Sequence, residues 1–232
     1  MNANPNIAII ASIVSEASRA AILTVLLDGR FHPASELAYM AGIKPQTASF
    51  HLHKMVDANI ITVEKQGRHR YYGIRNPEVA QVMESLLSIA PTNQIKSFKQ
   101  AKEDKEIRAA RTCYDHLAGN LGVKITDSLI SMGMIKEQQK DFIITEKGEQ
   151  FFLSLQIDIQ QVKRKRRSFS HKCLDWTERR PHLAGALGNA LFEKLLELKW
   201  IKRIPQTRAI KITSVGKTGL KELFSIDVVI NK

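Results

Sequence analysis

Apolar residues recur at helical spacing over most of the N-terminal part of the chain, interrupted by two short stretches rich in β-branched and aromatic residues. A first helix with a strongly apolar face is predicted over Asn6–Glu16. A second begins near Ser18, a potential N-cap, and ends at Asp28-Gly29, because glycine accepts the left-handed conformation that closes helices. A further helix is predicted from Asn76-Pro77 to Ala90, after the β stretches.

Between the second helix and Tyr72 the pattern is more specific. A short helix ends at Gly42, and Pro45 opens the next helix at a position that tolerates a missing N–H. Two predicted strands, Ile60–Lys65 and Arg70–Ile74, flank a four-residue turn that contains a glycine. Helix, tight turn, helix and basic hairpin is the order of a winged helix-turn-helix, which places its second helix in the major groove of DNA and its wing on the neighbouring backbone or minor groove.

The second helix of this unit is polar on the face opposite its apolar residues. Donors and acceptors on that face can read base edges, whereas the cations of the wing supply the salt-sensitive part of the affinity. The predicted groove contacts are Gln46, Thr47, Ser49, His51 and Lys54, and the predicted phosphate or minor-groove contacts are Lys44, Lys65, Arg68, His69 and Arg70. An ordinary helical pair with a solvated polar face is the alternative, but it leaves the coincidence of turn, wing and basic tip without a cause.

Three short motifs, Leu37–Gly42, Ala48–Leu52 and Gly67–Tyr72, resemble the ArsR-type winged-helix repressors. The resemblance covers roughly Asn6–Ala90. It implies a dimeric bacterial or archaeal transcription factor, usually a repressor that a ligand releases from its operator. The arsenic-sensing members carry a Cys-x-Cys pair where this chain has Ala38 and Met40, so that thiolate site is absent.

The same resemblance implies that the first helix belongs to a dimer interface. The helix after the wing is expected to join it, and packing within one chain is the alternative. Pro91-Thr92-Asn93 then breaks the helical pattern and is the expected domain boundary. The charged, apolar-poor segment Lys96–Arg111 is predicted to be a solvent-exposed connecting helix. The predicted division is a DNA-binding and dimerisation domain at 1–91, a connecting helix at 92–112, a first C-terminal repeat at 113–160, and a basic linker with a second repeat at 161–232.

The C-terminal half is duplicated. Leu117 and Leu183 occupy equivalent places 66 residues apart, as do Met132 and Leu198. Each copy is predicted to be helix, strand, turn, strand and helix, like a degenerate winged helix without a recognition face. The fold class is therefore mainly α with small β-hairpin wings (α+β), and the paired copies are expected to form a sensing domain with a ligand in a cleft between them.

Both cysteines recur at the same place in the two copies, each with an aspartate and a histidine nearby. The candidate effector, metal or redox residues are Cys113, Asp115, His116, Cys173, Asp175 and His182. Thiolates and imidazoles suit a soft or borderline metal such as zinc, and haem or a thiol switch are further readings. The spacing lacks Cys-x₂-Cys, and duplication repeats structural residues as readily, so helix caps and packing cysteines stay open alternatives.

The 232-residue chain has a net charge of +12 and a pI of about 9.8, which favours nucleic acid over membrane as a partner. The run Lys163–Arg167 could contact phosphates or lie in solvent. No apolar stretch is long enough to span a bilayer, and no basic residue precedes the apolar N-terminal stretch, so neither a membrane span nor a signal peptide is expected. Two cysteines do not make a disulfide scaffold, and a cytoplasmic location is expected.

No hydrolase, kinase or dinucleotide motif is present, and a Cys173 nucleophile with His171 or His182 as base lacks support, so the chain is not expected to be an enzyme. The sequence predicts a homodimeric, ligand-responsive repressor that binds an inverted-repeat operator. The alternatives are a metal- or thiol-redox-sensing repressor that uses Cys113 and Cys173, and a constitutive architectural DNA-binding protein. The cofactor is unknown, and DNA binding requires none.

Overall fold

The structure is a computed structural model that describes residues 4–91, 94–95 and 97–228. The chain forms two compact units, the first formed by the residues up to Leu86 with Pro205–Thr207 and the second by Leu87–Ile204 and the residues from Arg208 onward. This division precedes the expected boundary at Pro91, and Thr92 and Asn93 of that boundary lie outside the described residues. The four-part division given by the sequence stays a proposal.

The first unit has helices around a three-stranded antiparallel sheet with strand order β1-β3-β2. Its elements are α1 (Ile7–Val14), α2 (Ala17–Leu26), β1 (His32–Pro33), α3 (Ala34–Met40), α4 (Pro45–Asp57), β2 (Ile61–Gln66), β3 (His69–Ile74) and α5 (Pro77–Ile89), the last of which continues past the division. The order of α3, α4 and the β2–β3 hairpin is that of the predicted winged helix.

Local chemistry explains where the helices of this unit begin and end. Pro45 is the first residue of α4, where its missing N–H leaves no intrahelical bond unmade. Gly42 follows α3 with φ of +67°, the left-handed conformation that lets the chain turn sharply into α4. Glu16, and not Ser18, caps α2, because the Glu16 carboxylate accepts hydrogen bonds from the backbone N–H groups of Ser18 and Arg19.

The core of the first unit lies where α2, α3 and α4 meet. The buried apolar side chains there include Ile22, Leu23, Leu26, Leu37, Leu52 and Met55. On α2 and α4 they recur at three- and four-residue spacing, so burying one face of each of these helices leaves the opposite face to solvent. On α4 this fixes which residues point outward.

The second unit alternates hairpins and helices after one connecting helix. Its elements are α6 (Phe98–Ala109), β4 (Arg111–Cys113), β5 (His116–Ala118), α7 (Gly119–Ser131), β6 (Ile135–Gln138), β7 (Asp141–Ile144), α8 (Glu146–Ser154), α9 (Ile159–Lys163), β8 (His171–Leu174), β9 (Pro181–Ala184), α10 (Gly185–Glu197), β10 (Ile201–Arg203), β11 (Ile210–Ile212) and α11 (Ser214–Phe224). The connecting helix was predicted from Lys96, which lies outside the described residues.

Each copy of the duplication begins with a β-hairpin that the sequence did not predict. In β4–β5 Cys113 pairs with His116, and in β8–β9 Cys173 pairs with His182. The strands have only three or four residues and lack a clear alternation of polar and apolar positions, so the prediction that each copy opens with a helix was wrong. The later order of helix, hairpin and helix is as predicted: α7, β6–β7 and α8, then α10, β10–β11 and α11.

The predicted Thr-x-x-Gly turns open α8 and α11 in the same way. The side chains of Thr145 and Thr213 accept hydrogen bonds from the backbone N–H groups of Gly148 and Gly216. A Cβ at Gly148 would overlap the carbonyl oxygen of Met134, so glycine allows this helix to lie against the preceding hairpin.

The two copies share one hydrophobic core, to which α7, α8, α10 and α11 all contribute. Contacts are exchanged between the copies, since α7 packs on β9 and α10 packs on β5. The cavity lined by Leu117, Leu183 and their neighbours has a volume of about 10 Å³, which is room for one water at most. Interdigitated apolar side chains fill this part of the space between the copies. An open groove lies elsewhere between them, at α7 and the end of α11.

Among the described helices none is by itself long and apolar enough to cross a bilayer; α1 and α2, which meet at 89°, satisfy the length and composition criterion only as a pair.

Candidate functional site

The outward face of α4 carries most of the predicted groove contacts. Gln46, Thr47, Ser49 and Lys54 are exposed, and Lys44, which precedes the helix, is exposed as well. The inward face, with Ala48, Leu52 and Met55, is fully buried against the rest of the first unit. The polar face is therefore free of contacts with the unit's core and available to a partner.

His51 is the one predicted groove contact that the structure turns inward. Its side chain is 9% exposed, with Nε2 3.4 Å from the Glu16 carboxylate and Nδ1 3.3 Å from the Arg19 guanidinium. The prediction that His51 contacts DNA was wrong, because a helix turns 100° per residue and position 51 falls at the border of the buried face. His51 instead joins α4 to the start of α2.

Two exposed residues of α4 were missed as candidate contacts. Phe50 is exposed although it is aromatic, and the Lys54 ammonium lies 4.4 Å from its ring centroid. The side chain of His53 is 81% exposed and lies 3.5 Å from Asp57. Helical spacing alone would have placed His53, two residues beyond the buried His51, on the open face, whereas an exposed phenylalanine has no signal in the hydrophobic pattern.

The wing is a regular antiparallel hairpin whose tip is basic and exposed. Lys65 pairs with Arg70 and Gln66 with His69, so Gly67 and Arg68 form a two-residue turn, shorter than the predicted four. All four predicted wing contacts, Lys65, Arg68, His69 and Arg70, are exposed. An open groove between α4 and the wing is lined by Gln46, Ser49, Phe50, His53, Lys65 and Arg70 among others.

In the second unit the structure gathers four of the six candidate ligands. The Sγ atoms of Cys113 and Cys173 are 3.7 Å apart, and the Nε2 atoms of His116 and His182 are 3.1 Å apart. The ligand atoms of all four residues lie within 4.8 Å of one another. Each copy supplies one cysteine and one histidine, because the paired residues face each other across the β4–β5 and β8–β9 hairpins.

The remaining two candidates, Asp115 and Asp175, lie on the Nδ1 side of the two histidine rings. Asp115 Oδ1 is 3.3 Å from His116 Nδ1, and Asp175 Oδ2 is 3.8 Å from His182 Nδ1. Burial opposes the charged form of Asp115, but His116 and Arg167 outweigh it and lower its pKa to about 2. Burial lowers the pKa of His182 well below its usual value, which favours the neutral ring.

The basic run between the copies is partly occupied by internal ion pairs. Lys163 Nζ lies 2.7 Å from the Glu149 carboxylate, and the Arg167 guanidinium binds Asp115. These two cations are engaged within the unit, so the expectation that the whole run reaches phosphate or solvent does not hold for them.

Known proteins resemble this chain in sequence. A family described as "Helix-turn-helix domain" matches residues 14–64, a span that contains α2, α3 and α4. The uncharacterized HTH-type transcriptional regulator YdfF of Bacillus subtilis (strain 168) is 52% identical over 225 residues, which are 97% of this chain and 100% of YdfF. The chain belongs to the helix-turn-helix transcriptional regulators.

Solved structures also match parts of this regulator. Reduced HlyU from Vibrio cholerae N16961 is 20% identical, with a TM-score of 0.33 over 37% of this chain and 88% of HlyU. The homodimeric winged helix-turn-helix domain of Mb0332 from Mycobacterium bovis, titled a possible ArsR-family regulator, is 19% identical, with a TM-score of 0.34 over 39% of this chain and 87% of the domain.

The prediction of a helix-turn-helix transcriptional regulator is confirmed. The winged helix could be predicted from the sequence because a tight turn between helices and a basic hairpin each depend on residues close together in the chain. The four-ligand cluster depends on distant residues, and only its duplication pointed to it.

Proposed function

We propose that this regulator is a homodimeric, ligand-responsive repressor that binds an inverted-repeat operator in the cytoplasm. Helix α4 enters the major groove, with Gln46 and Ser49 at base edges, and the wing lies on the adjacent backbone or minor groove. Two-fold symmetry then places the half-site centres about 34 Å apart, one helical turn of DNA. A ligand releases the operator only if it prefers the dimer geometry that misaligns the two α4 helices.

The observation that carries the proposal is the continuous exposed surface formed by α4 and the wing. Hydrogen-bonding side chains on α4 and cations on β2 and β3 border one open groove, and the described chain leaves them exposed. A helix that reads bases and a ribbon that neutralises phosphates need this division of side-chain types.

Apolar side chains exposed on α1 and α5 support the dimer. Ile7 and Ile9 of α1 are 80% and 54% exposed, and Val82 of α5 is 53% exposed. Leaving such side chains in water is unfavourable, and clusters of them on a folded unit are typical of protein interfaces. Both helices were predicted to dimerise from the sequence.

The first test is the double variant Gln46→Ala/Ser49→Ala on an operator selected from genomic fragments and mapped by footprinting. Loss of base contacts lowers affinity for the operator by about 1–3 kcal/mol per good contact and leaves binding to unrelated DNA nearly unchanged. Failure to select any preferred site would favour the constitutive architectural reading. If the double variant keeps the wild-type ratio of affinity for the operator to affinity for unrelated DNA, α4 does not contact base edges through these residues.

The wing is tested separately through the salt dependence of binding. Arg68→Ala/Arg70→Ala weakens binding to every duplex and flattens the slope of log affinity against log salt by up to about 0.9 for each lost phosphate contact. Lys99→Ala/Lys102→Ala on α6 is the matched control, because it removes the same charge from exposed side chains outside the wing. Equal slopes for the two double variants would contradict the assigned role of the wing.

A further inference from the structure

We propose that Cys113, His116, Cys173 and His182 form a tetrahedral binding site for one zinc ion that joins the two copies of the duplicated unit. This site is separate from the DNA-binding surface and does not depend on the proposed function. It assigns a role to four residues that DNA binding does not use.

The spacing of the four side chains fits such an ion. Zinc binds cysteine sulfur at about 2.3 Å and histidine nitrogen at about 2.0–2.1 Å, and in a tetrahedron these lengths separate two sulfurs by about 3.8 Å and two nitrogens by about 3.4 Å. The observed separations are 3.7 Å between the sulfurs and 3.1 Å between the Nε2 atoms. Ligand atoms arranged in this way surround a central position that a cation can occupy.

The donor set and its burial favour the same ion. Two thiolates with two imidazoles in a tetrahedral arrangement suit zinc, a borderline-soft cation with no preference of its own for another geometry. Cys113, His116 and His182 are buried, and Cys173 is partly buried. Two buried Nε2 atoms that face each other can share only one hydrogen bond, whereas a bound cation accepts electron pairs from both.

The carboxylates behind the histidines complete the arrangement. Asp115 Oδ1 is within hydrogen-bond distance of His116 Nδ1 at 3.3 Å, and Asp175 Oδ2 lies near His182 Nδ1 but at 3.8 Å, too far for a hydrogen bond. A carboxylate beside the second nitrogen of a ligand histidine is the second-shell pattern of zinc-bound histidines. Asp115 is itself bound by Arg167, and Asp175 is held by the buried Arg111 guanidinium at 2.9 Å and by the Gly119 N–H at 2.7 Å. The two aspartates are positioning residues for a site whose ligands come from both hairpins.

Four protein ligands close the coordination sphere, which is the form of a structural zinc and not of a catalytic one. Because β4–β5 and β8–β9 each supply two ligands, the ion links residues far apart in sequence and stabilises the folded unit through its binding free energy. The cavity lined by Leu117 and Leu183 is too small for an organic ligand, but an ion needs only the space between its ligands.

The direct test measures zinc in the full-length protein, purified without metal-affinity tags from cells grown with zinc. We expect one zinc per chain in the wild type, and loss of the metal in Cys173→Ser, which alters the least buried ligand. His171→Gln is the matched control, since His171 lies on β8 beside Cys173 but outside the four-residue set, and it keeps the metal. A metal-free wild type, or a zinc content unchanged in Cys173→Ser, would overturn the proposal.

Measurements on the wild type keep the proposal testable if Cys173→Ser does not fold. Replacement of zinc by cobalt gives the intense visible bands of tetrahedral cobalt with sulfur-to-cobalt charge transfer, and a strong chelator lowers the melting temperature until zinc is restored. The weak bands of octahedral cobalt would contradict a four-ligand site. A mass two hydrogens lower in the protein as isolated would show a Cys113–Cys173 disulfide, and the thiol-switch reading would replace the metal site.

Discussion

Two histidines on α4, only two residues apart, have opposite surroundings. The side chain of His51 is 9% exposed and contacts Glu16 and Arg19, whereas that of His53 is 81% exposed. Both look alike in the sequence, as polar residues on a predicted reading helix. Position relative to the buried face therefore decides which of the two can meet DNA and which holds α4 in place.

His51→Ala is expected to destabilise the first unit by about 1–3 kcal/mol, because it removes a buried side chain and leaves its polar partners without it. Relative affinity among operator variants stays unchanged, since no base contact is lost. Chemical denaturation followed by circular dichroism, with competition binding, measures both effects. His53→Ala is the control, and an equal loss of stability there would show that burial does not separate the two histidines.

At the scale of elements, a buried charged cluster joins the end of α2 to β1 and α3. His32 of β1 lies 2.9 Å from the Asp28 carboxylate and 3.0 Å from that of Glu36 in the first turn of α3, and Arg30 also binds Asp28. Burial by itself would lower the pKa of His32, but Asp28 and Glu36 outweigh it and raise that pKa. Burial likewise opposes ionisation of Asp28, but His32 and Arg30 lower its pKa overall.

These shifts predict a pH dependence of stability for the first unit. A raised pKa means that His32 stabilises the fold fully below its ordinary value of about 6.5, and that this contribution is lost as the pH rises through the raised value. The contribution of Asp28 has the opposite sign: it is present above the ordinary pKa of Asp, about 3.9, and is lost as the pH falls below that value. The destabilisation caused by His32→Gln should therefore be largest near about pH 5–6 and shrink at higher pH.

Hydrogen exchange of α2 and α3 measures this effect, because both tryptophans, Trp176 and Trp200, lie in the second unit and their fluorescence reports on that unit. His53→Gln, at an exposed histidine outside this charged cluster, is the control. A His32→Gln effect that grows above pH 7 would contradict the assigned ion pairs.

At the scale of the whole molecule, the chain divides its chemistry between two units. The first presents the DNA-binding surface and the exposed apolar faces of α1 and α5, and the second buries a duplicated core with its four-ligand cluster. A net charge of +12 on the full chain favours binding to DNA of any sequence, so specificity for one sequence has to come from contacts with base edges.

The proposed dimer predicts the effect of charges placed on the exposed apolar faces of α1 and α5. Ile7→Glu/Val82→Glu should convert the protein to monomers in analytical ultracentrifugation. The free energy needed to bury two carboxylates per chain exceeds the favourable free energy of association. Affinity for the full operator falls towards that for a half-site. Leu153→Glu, at an exposed apolar side chain of α8, is the control. If Leu153→Glu forms monomers and the double variant does not, the dimer interface lies in the second unit and not on α1 and α5.

Sequence alone determined the elements whose signals are local. Pro45, Gly42 and Gly67 specify the turns of the winged helix, and the spacing of apolar residues specifies its helices, because these depend on neighbours within one or two turns. The same local evidence identified the wing cations and most of the exposed face of α4. Sequence patterns also revealed the duplication, but they did not predict the hairpins that begin each copy.

Only the tertiary structure decided which side chains meet. It turned His51 inward onto α2, filled the space between Leu117 and Leu183 with apolar side chains, and brought Cys113 and His116 to Cys173 and His182 from about sixty residues away. Periodicity assigns a residue to a face of its own element but carries no information about which distant element will cover that face. The physical reason is that long-range packing depends on the shapes of all elements together.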